Sequence, residues 1–239
     1  MIELENISGE NENRLFTYKV AHDGGSAPNP YGGICTLAIC KPKIRSVAKS
    51  GDIVVGFGCK EDERRIVYCM VVDESLTWEE YIKRCNSNGS DSIKGKIPKN
   101  KKDQGDCIWS NSKSYAKALE SWSNHDGQED FDRDVTNRKK VLIGSKFWYF
   151  GSGSQNSITI PEDNDLRRIV PRAQGHRSTS NMNFSDAFVK FFNKQLVEKK
   201  ITELGLKGTP TISPTTDEHT YSACRAAEKE SDLTEEELD

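Results

Sequence analysis

At 239 residues and 26.9 kDa the chain can hold one large domain or two small ones. A net charge of −3 and a pI near 5.9 argue against a broad basic face for gripping duplex DNA, and no apolar run approaches the roughly 18 to 20 residues that cross a bilayer. With apolar residues at 34% and a mean hydropathy of −0.72, part of the chain is expected to be long loop or tail.

The first stretch, residues 1–14, has no basic segment leading into an apolar one, so it is expected to be an N-terminal extension of a soluble, cytoplasmic protein. "LFTYKVAHD" (15–23) is rich in aromatic and β-branched residues and runs into Gly24-Gly25, which predicts a strand entering a turn. A second short strand is expected in "GGICTLAIC". A helix should follow from Pro42, with Ile44, Val47 and Ala48 on one face and Gly51 at its end. "GDIVVGFG" (51–58) and "RRIVYCMVVDES" (64–75) predict an antiparallel hairpin, and Thr77 with Glu80 has the spacing of a capping box opening another helix.

Residues 86–106 read as a polar, lysine-rich insertion, with five lysines between 94 and 102. "SKSYAKALESW" suggests a short helix, and the stretch around residues 124–140 suggests loop. "KVLIGSKFWYFG" (140–151) reads as a strand with a glycine break, and "PEDNDLRRIVPRAQGHRSTSN" is too polar to be core. The strongest helical pattern is "SDAFVKFFNKQLVEKKI", capped by Ser185, with Phe188, Phe191, Phe192, Leu196 and Val197 as its apolar stripe. Residues 207–239 are expected to form a mobile acidic tail, a candidate site for a protein partner, since 228–239 holds seven acids and one lysine.

Seven cysteines, Cys35, Cys40, Cys59, Cys69, Cys85, Cys107 and Cys224, form no CxxC pair and several lie in apolar runs. Buried reduced thiols fit this pattern better than a disulfide frame or a structural zinc, and Cys35 reads as a core thiol rather than a nucleophile. Four scattered histidines argue against a metal centre; His125 and His219 lie in no motif. No cofactor is expected.

The chemistry-bearing candidates gather in and after the first loop. Asp23 beside glycines can accept hydrogen bonds from a base edge or serve as a general base, and Asn29 offers a donor and an acceptor between stiffening prolines; a simple Asp-Gly turn is the plain alternative. Lys41 and Arg45, at the start of the expected helix, are candidates for phosphate contact, with a solvated basic face as the alternative. His176 and Arg177, in a polar stretch after a glycine, are candidates for proton transfer or phosphate recognition. Tyr68, Trp78, Tyr81, Trp148 and Tyr149 fit either a stacking wall for a base or the core.

The order of "AHDGGSAPNPYGGICTLAICKPKIRSVAKSGDIVVGFG", "RRIVYCMVVDESLTWEEY", "KKVLIGSKFWYFG" and "GHRS" resembles the second type of nucleotide-modification-associated domain, over roughly residues 15–195. The resemblance implies a nucleotide-related substrate, settings of phage or mobile-element conflict, and a single domain over 15–206. It extends the candidate set to Asp52, and marks Pro28, Pro30, Cys35 and Thr36. Separately, "KSGDIVVGFG" followed by "RIVYCMVV" is similar in layout to the small barrels of the PUA and EVE groups, which hold bases in a pocket. The expectation is therefore an α+β fold, a PUA-like mixed or antiparallel β-barrel flanked by helices. It would bind or process a nucleotide or nucleobase, with Asp23, Asn29 and His176 in orientation or acid-base roles and Lys41, Arg45, Asp52 and Arg177 toward substrate. The alternative is a non-catalytic reader of a modified base or nucleotide signal.

Overall fold

The computed structural model describes residues 3–4, 13–59, 63–123, 125–136, 139–151, 156–162, 165–172, 176–179, 182–211 and 235–237; for 176–177, 179, 182–183 and 235–237 it describes the backbone alone. Among these residues eight strands form one mixed sheet: β1 (Leu15–Lys19), β3 (Ile53–Phe57), β4 (Arg65–Val71), β7 (Phe147–Tyr149), β8 (Ile158–Thr159), β9 (His176–Thr179), β10 (Gly205–Leu206) and β11 (Glu235–Glu237). Its order is β10-β7-β4-β3-β1-β9-β11, with β8 beside β4. A second, antiparallel sheet has the order β2-β6-β5, from β2 (Cys35–Leu37), β6 (Lys140–Gly144) and β5 (Glu74–Thr77).

Four α-helices surround these sheets among the described residues: α1 (Pro42–Val47), α2 (Trp78–Asn86), α3 (Gln128–Asp134) and α4 (Met182–Glu198). One face of the large sheet, with Leu15, Val55, Phe57 and Trp148, packs on Phe188, Phe192 and Leu196 of α4. The opposite face, with Phe16, Tyr18, Tyr68 and Tyr149, packs on Leu37 and Leu142 of the small sheet and on Ile44 of α1. Period-two alternation along β1 sends Leu15 to one core and Phe16 to the other.

The expected hairpin is β3–β4, paired antiparallel; the expected first-turn proline is Pro42 of α1, and the capping box of Thr77 and Glu80 opens α2. The closed barrel is not found. β1 pairs with β3 in parallel and β9 covers its other side, so among the described residues the large sheet runs open from β10 to β11. The chain instead turns a corner twice: β4 in the large sheet leads to β5 in the small one, and β6 in the small sheet leads to β7 in the large one. Asp73 fixes that corner by accepting from the Ser145 N–H and hydroxyl, both at 2.6 Å.

Other expectations change. The 112–122 stretch is not helical. Residues 128–134 form α3, because the Asp130 carboxylate accepts from the N–H groups of Asp126 (3.2 Å) and Gly127 (3.3 Å) and seats the first turn. Ser185 lies inside α4 rather than at its cap, and Val197 is 53% exposed rather than part of the stripe. Leu166, Ile169 and Val170 are buried although their segment is polar overall, since a 3-10 turn, Asp165–Ile169, presents them on one side. Of the expected tail, 212–234 lies outside the described residues, whereas the N–H groups of Lys207 and Gly208 donate to the Tyr149 carbonyl.

Candidate functional site

Register across the large sheet lines up Tyr18 of β1, Gly56 of β3, Tyr68 of β4 and Tyr149 of β7 in one transverse row. Gly56 makes the row possible: a Cβ there would stand 2.5 Å from the Tyr68 ring and 2.6 Å from Val20, so Tyr68 lies across the glycine and meets Tyr18 edge-on at 6.0 Å. The first loop passes the end of this row and delivers Asp23, which is 5% exposed. The Tyr149 hydroxyl donates to Asp23 Oδ1, while the N–H and hydroxyl of Thr211 each donate to Oδ2 at 3.1 Å. Burial pushes the Asp23 carboxyl up, and the Tyr149 and Thr211 hydrogen bonds and the Arg65 charge only partly offset it. Burial and the neighbouring Asp23 likewise raise the Tyr149 phenol well above its usual range.

Asn29 is fully buried and bonds through both ends of its amide. Nδ2 donates to the Gln104 carbonyl at 2.7 Å, and Oδ1 accepts from the Tyr31 N–H at 3.2 Å and from Lys96 Nζ at 2.8 Å. Lys96 is itself fully buried and donates also to the carbonyls of Asn29 (3.0 Å) and Ile34 (2.7 Å), so its three ammonium hydrogens are all matched. The 86–106 stretch is thus tied to the first loop. Lys96 locks it onto the first loop, and Asp106 continues the lock by accepting from Thr36 Oγ1 and Tyr81 Oη, each at 2.6 Å.

The two residues that Asn29 fixes line a cleft of about 410 Å³, whose walls are Tyr31, Gly95, Asn100, Lys102, Asp103 and Gln104. Gln104 Nε2 donates to the Gly24 carbonyl at 2.5 Å, tying the cleft wall to the residue after Asp23. Gly25, at φ 75°, leaves room there: a Cβ would lie 2.8 Å from Gln104 Nε2 and 3.1 Å from the Tyr31 hydroxyl. Burial raises the Tyr31 phenol, which therefore remains a neutral donor at physiological pH. The cleft offers an aromatic ring, two carboxamides, a cation and an acid within one wall.

The remaining candidates are distributed around this region. Lys41, in the left-handed conformation at φ 43°, holds its ammonium 5.1 Å from the centre of the Tyr18 ring. Arg45 is fully buried: Nε donates to the Cys40 carbonyl (2.6 Å) and Nη1 to the carbonyls of Asp134 (2.9 Å) and Lys140 (2.8 Å), which ties α1 to α3 and β6. Asp52 precedes β3, at the opposite end of the β1–β3 pair from Asp23. It accepts from the N–H groups of Arg14 (2.8 Å) and Lys49 (2.9 Å) and pairs with the Arg14 guanidinium. The backbones of His176 and Arg177 pair with Tyr18 and Thr17; their side chains lie outside the described residues. Cys35 is buried, with its thiol pushed up to about 12 by burial, as expected of a core thiol. Trp78, Tyr81 and Trp148 are core residues too, at 2% exposure or less.

Sequence reasoning did not reach Tyr31, Asn100, Gln104 or Thr211 as parts of a site. The available signals were the lysine run after Gly95 and the tyrosine that follows "APNP". Among the described residues no group of three His, Cys, Asp or Glu side chains is arranged to hold a metal ion. A family model described as nucleotide modification associated domain 2 matches residues 12–210. No curated protein and no solved structure matches the chain.

Proposed function

The chain belongs to the nucleotide modification associated domain 2 family, and from that premise we propose that it binds a nucleotide or nucleobase in the cleft between the first loop and residues 94–104. In this reading the Tyr31 ring stacks on the base and the carboxamides of Asn100 and Gln104 meet its polar edge. Lys102 attracts the phosphate. Asp23 and Asn29 act from behind the wall, as positioning residues.

The observation that carries the reading is the use of one buried amide, Asn29, to fix both Tyr31 and Gln104, with a buried ammonium, Lys96, holding that amide in turn. A loop with no ligand to hold has little need for such a costly polar anchor. The same observation favours recognition over turnover in this cleft, since Asp23 and Asn29 already engage protein donors and acceptors.

Calorimetric titration with nucleoside monophosphates, triphosphates and short normal or modified oligonucleotides tests the proposal. Gln104→Ala and Lys102→Ala are expected to weaken binding of the best ligand by about tenfold each, near the value of one charge-assisted hydrogen bond. Lys102→Ala should also flatten its salt dependence. Unchanged affinity in both variants, or no binding by any nucleotide class, overturns the reading.

A further inference from the structure

Cys40 ends the segment after β2 and stands at φ 59°, directly before Lys41 at φ 43°. Two consecutive non-glycine residues in the left-handed region are unfavourable, and such a conformation persists only where surrounding contacts over-determine it. Those contacts are specific. The Cys40 N–H donates to Asp134 Oδ1 at 3.2 Å, and its carbonyl accepts from Arg45 Nε at 2.6 Å, so the backbone of this cysteine is gripped on both sides.

The grip presents the half-buried thiol to a histidine. Cys40 Sγ lies 3.5 Å from His125 Nε2, and His125 Nδ1 lies 2.7 Å from Asp134 Oδ2. Asp134 is fully buried at the end of α3. Burial opposes its ionisation, but His125, Arg133 and Arg45 outweigh burial and hold its carboxyl below the usual carboxylate range. An ionised Asp134 accepts from Nδ1–H, which leaves the Nε2 lone pair facing the thiol. One carboxylate therefore orients the base through Oδ2 and anchors the backbone of the nucleophile through Oδ1.

The charges around the pair come from α3 and from α1 with its N-cap. Arg133 of α3 brings Nη2 to 3.0 Å from His125 Nδ1 and 3.5 Å from Nε2, and is itself paired with Asp130 at 2.8 Å. Arg45 of α1 reaches Asp134 Oδ1 at 3.4 Å. Lys41 follows Cys40 directly, with its ammonium over the Tyr18 ring. Arg133 and Arg45 thus place positive charge beside the Cys40, His125 and Asp134 group.

We propose that Cys40 is a nucleophile for acyl transfer, with His125 as its general base and Asp134 as the positioning residue, acting on a carboxylic ester or amide. His125 Nε2 takes the thiol proton as Sγ bonds to the carbonyl carbon. The tetrahedral adduct collapses to a thioester, and the departing alcohol or amine takes that proton from His125. Water then adds to the thioester and gives one proton to His125, which returns it to the cysteine thiolate as the acid leaves. The net reaction is hydrolysis and needs no oxidant or reductant. This centre is independent of nucleotide binding in the 410 Å³ cleft, so either can stand without the other.

The test treats the full chain at pH 6 with limiting iodoacetamide and maps each modified cysteine by mass spectrometry. Cys59 and Cys85, also half-buried, serve as internal references. Cys40 is expected to react at least about tenfold faster than either, and His125→Gln should remove that advantage. With p-nitrophenyl acetate, an acetyl group should be trapped on Cys40 at low pH, and Cys40→Ala should abolish the burst. Equal alkylation of Cys40, Cys59 and Cys85 in the unsubstituted chain overturns the proposal, even if His125→Gln does not fold. So does an acetate burst that survives in Cys40→Ala.

Discussion

Asp23 gives one carboxylate oxygen to Tyr149 and the other to Thr211, and it does so almost out of contact with water. Its folded-state pKa is raised, so the native protein keeps this proton to a higher pH than the unfolded chain does. The contribution of Asp23 to stability is therefore greatest below its unfolded value, about 4, and declines as pH rises through the raised native value. Asp134 has the opposite sign: its contribution is present at neutral pH and is lost as pH falls through its depressed native value. Urea unfolding of the native sequence and Asp23→Asn, compared from pH 4 to 7, separates the two. The substituted protein is expected to lack the decline that Asp23 contributes, so the stability difference between the two proteins should change steadily across the window; parallel profiles would show that Asp23 does not titrate there. Lys96 is the second residue whose role is set by burial. Lys96→Ala removes three charge-assisted hydrogen bonds at once, leaving the Asn29 amide oxygen with the Tyr31 N–H and the Asn29 carbonyl with the Thr36 N–H, and is expected to cost about 3–5 kcal/mol, read from the urea midpoint.

At the scale of elements, the transverse tyrosine row depends on a strand glycine. Gly56→Ala puts a methyl group within 2.6 Å of both the Tyr68 ring and Val20, neither of which can retreat from a packed sheet face. A loss of about 1–3 kcal/mol is expected in chemical unfolding, with Gly56→Val worse than Gly56→Ala. What the sequence made legible was local chemistry with a fixed offset: Pro42 at a helix start, Thr77 and Glu80 three residues apart, two β-rich runs around a charged loop. What it hid was pairing at long separation. Nothing in residues 15–19 and 53–57 distinguishes a parallel from an antiparallel partner, so the barrel expectation could not be tested before the parallel β1–β3 pair was seen. Lys96 is indistinguishable in sequence from the four lysines around it, yet it alone of that run is fully buried. Cys40 and His125 are 85 residues apart, and their meeting depends on α3, whose acid-rich sequence reads as loop until Asp130 is seen seating its first turn.

For the molecule as a whole, the segment after α4 returns to close the structure over the first loop. β10 pairs with β7, the N–H groups of Lys207 and Gly208 donate to the Tyr149 carbonyl, and Thr211 completes the shell of Asp23. Pro210 lies against Gly25, where a Cβ would stand 2.9 Å from its ring, so the same return stroke borders the loop that carries Asn29 and Tyr31. The family match ends at residue 210, which coincides with the end of this closure. A chain ended after residue 211 loses β11, a three-residue strand on the outer edge of β9, and is expected to unfold within about 1 kcal/mol of the full chain because an edge strand of that length adds few contacts. A chain ended after residue 204 loses β10 and both Thr211 donors, and leaves the Tyr149 hydroxyl donating to the Asp23 carboxyl. That truncation should lower stability by about 2–4 kcal/mol and weaken nucleotide binding together with it, since two hydrogen bonds to a buried carboxyl are removed at once. Equal urea midpoints for the two truncated chains would mean that residues 205–211 do not close the first loop, and that the cleft owes its geometry to Asn29 and Lys96 alone.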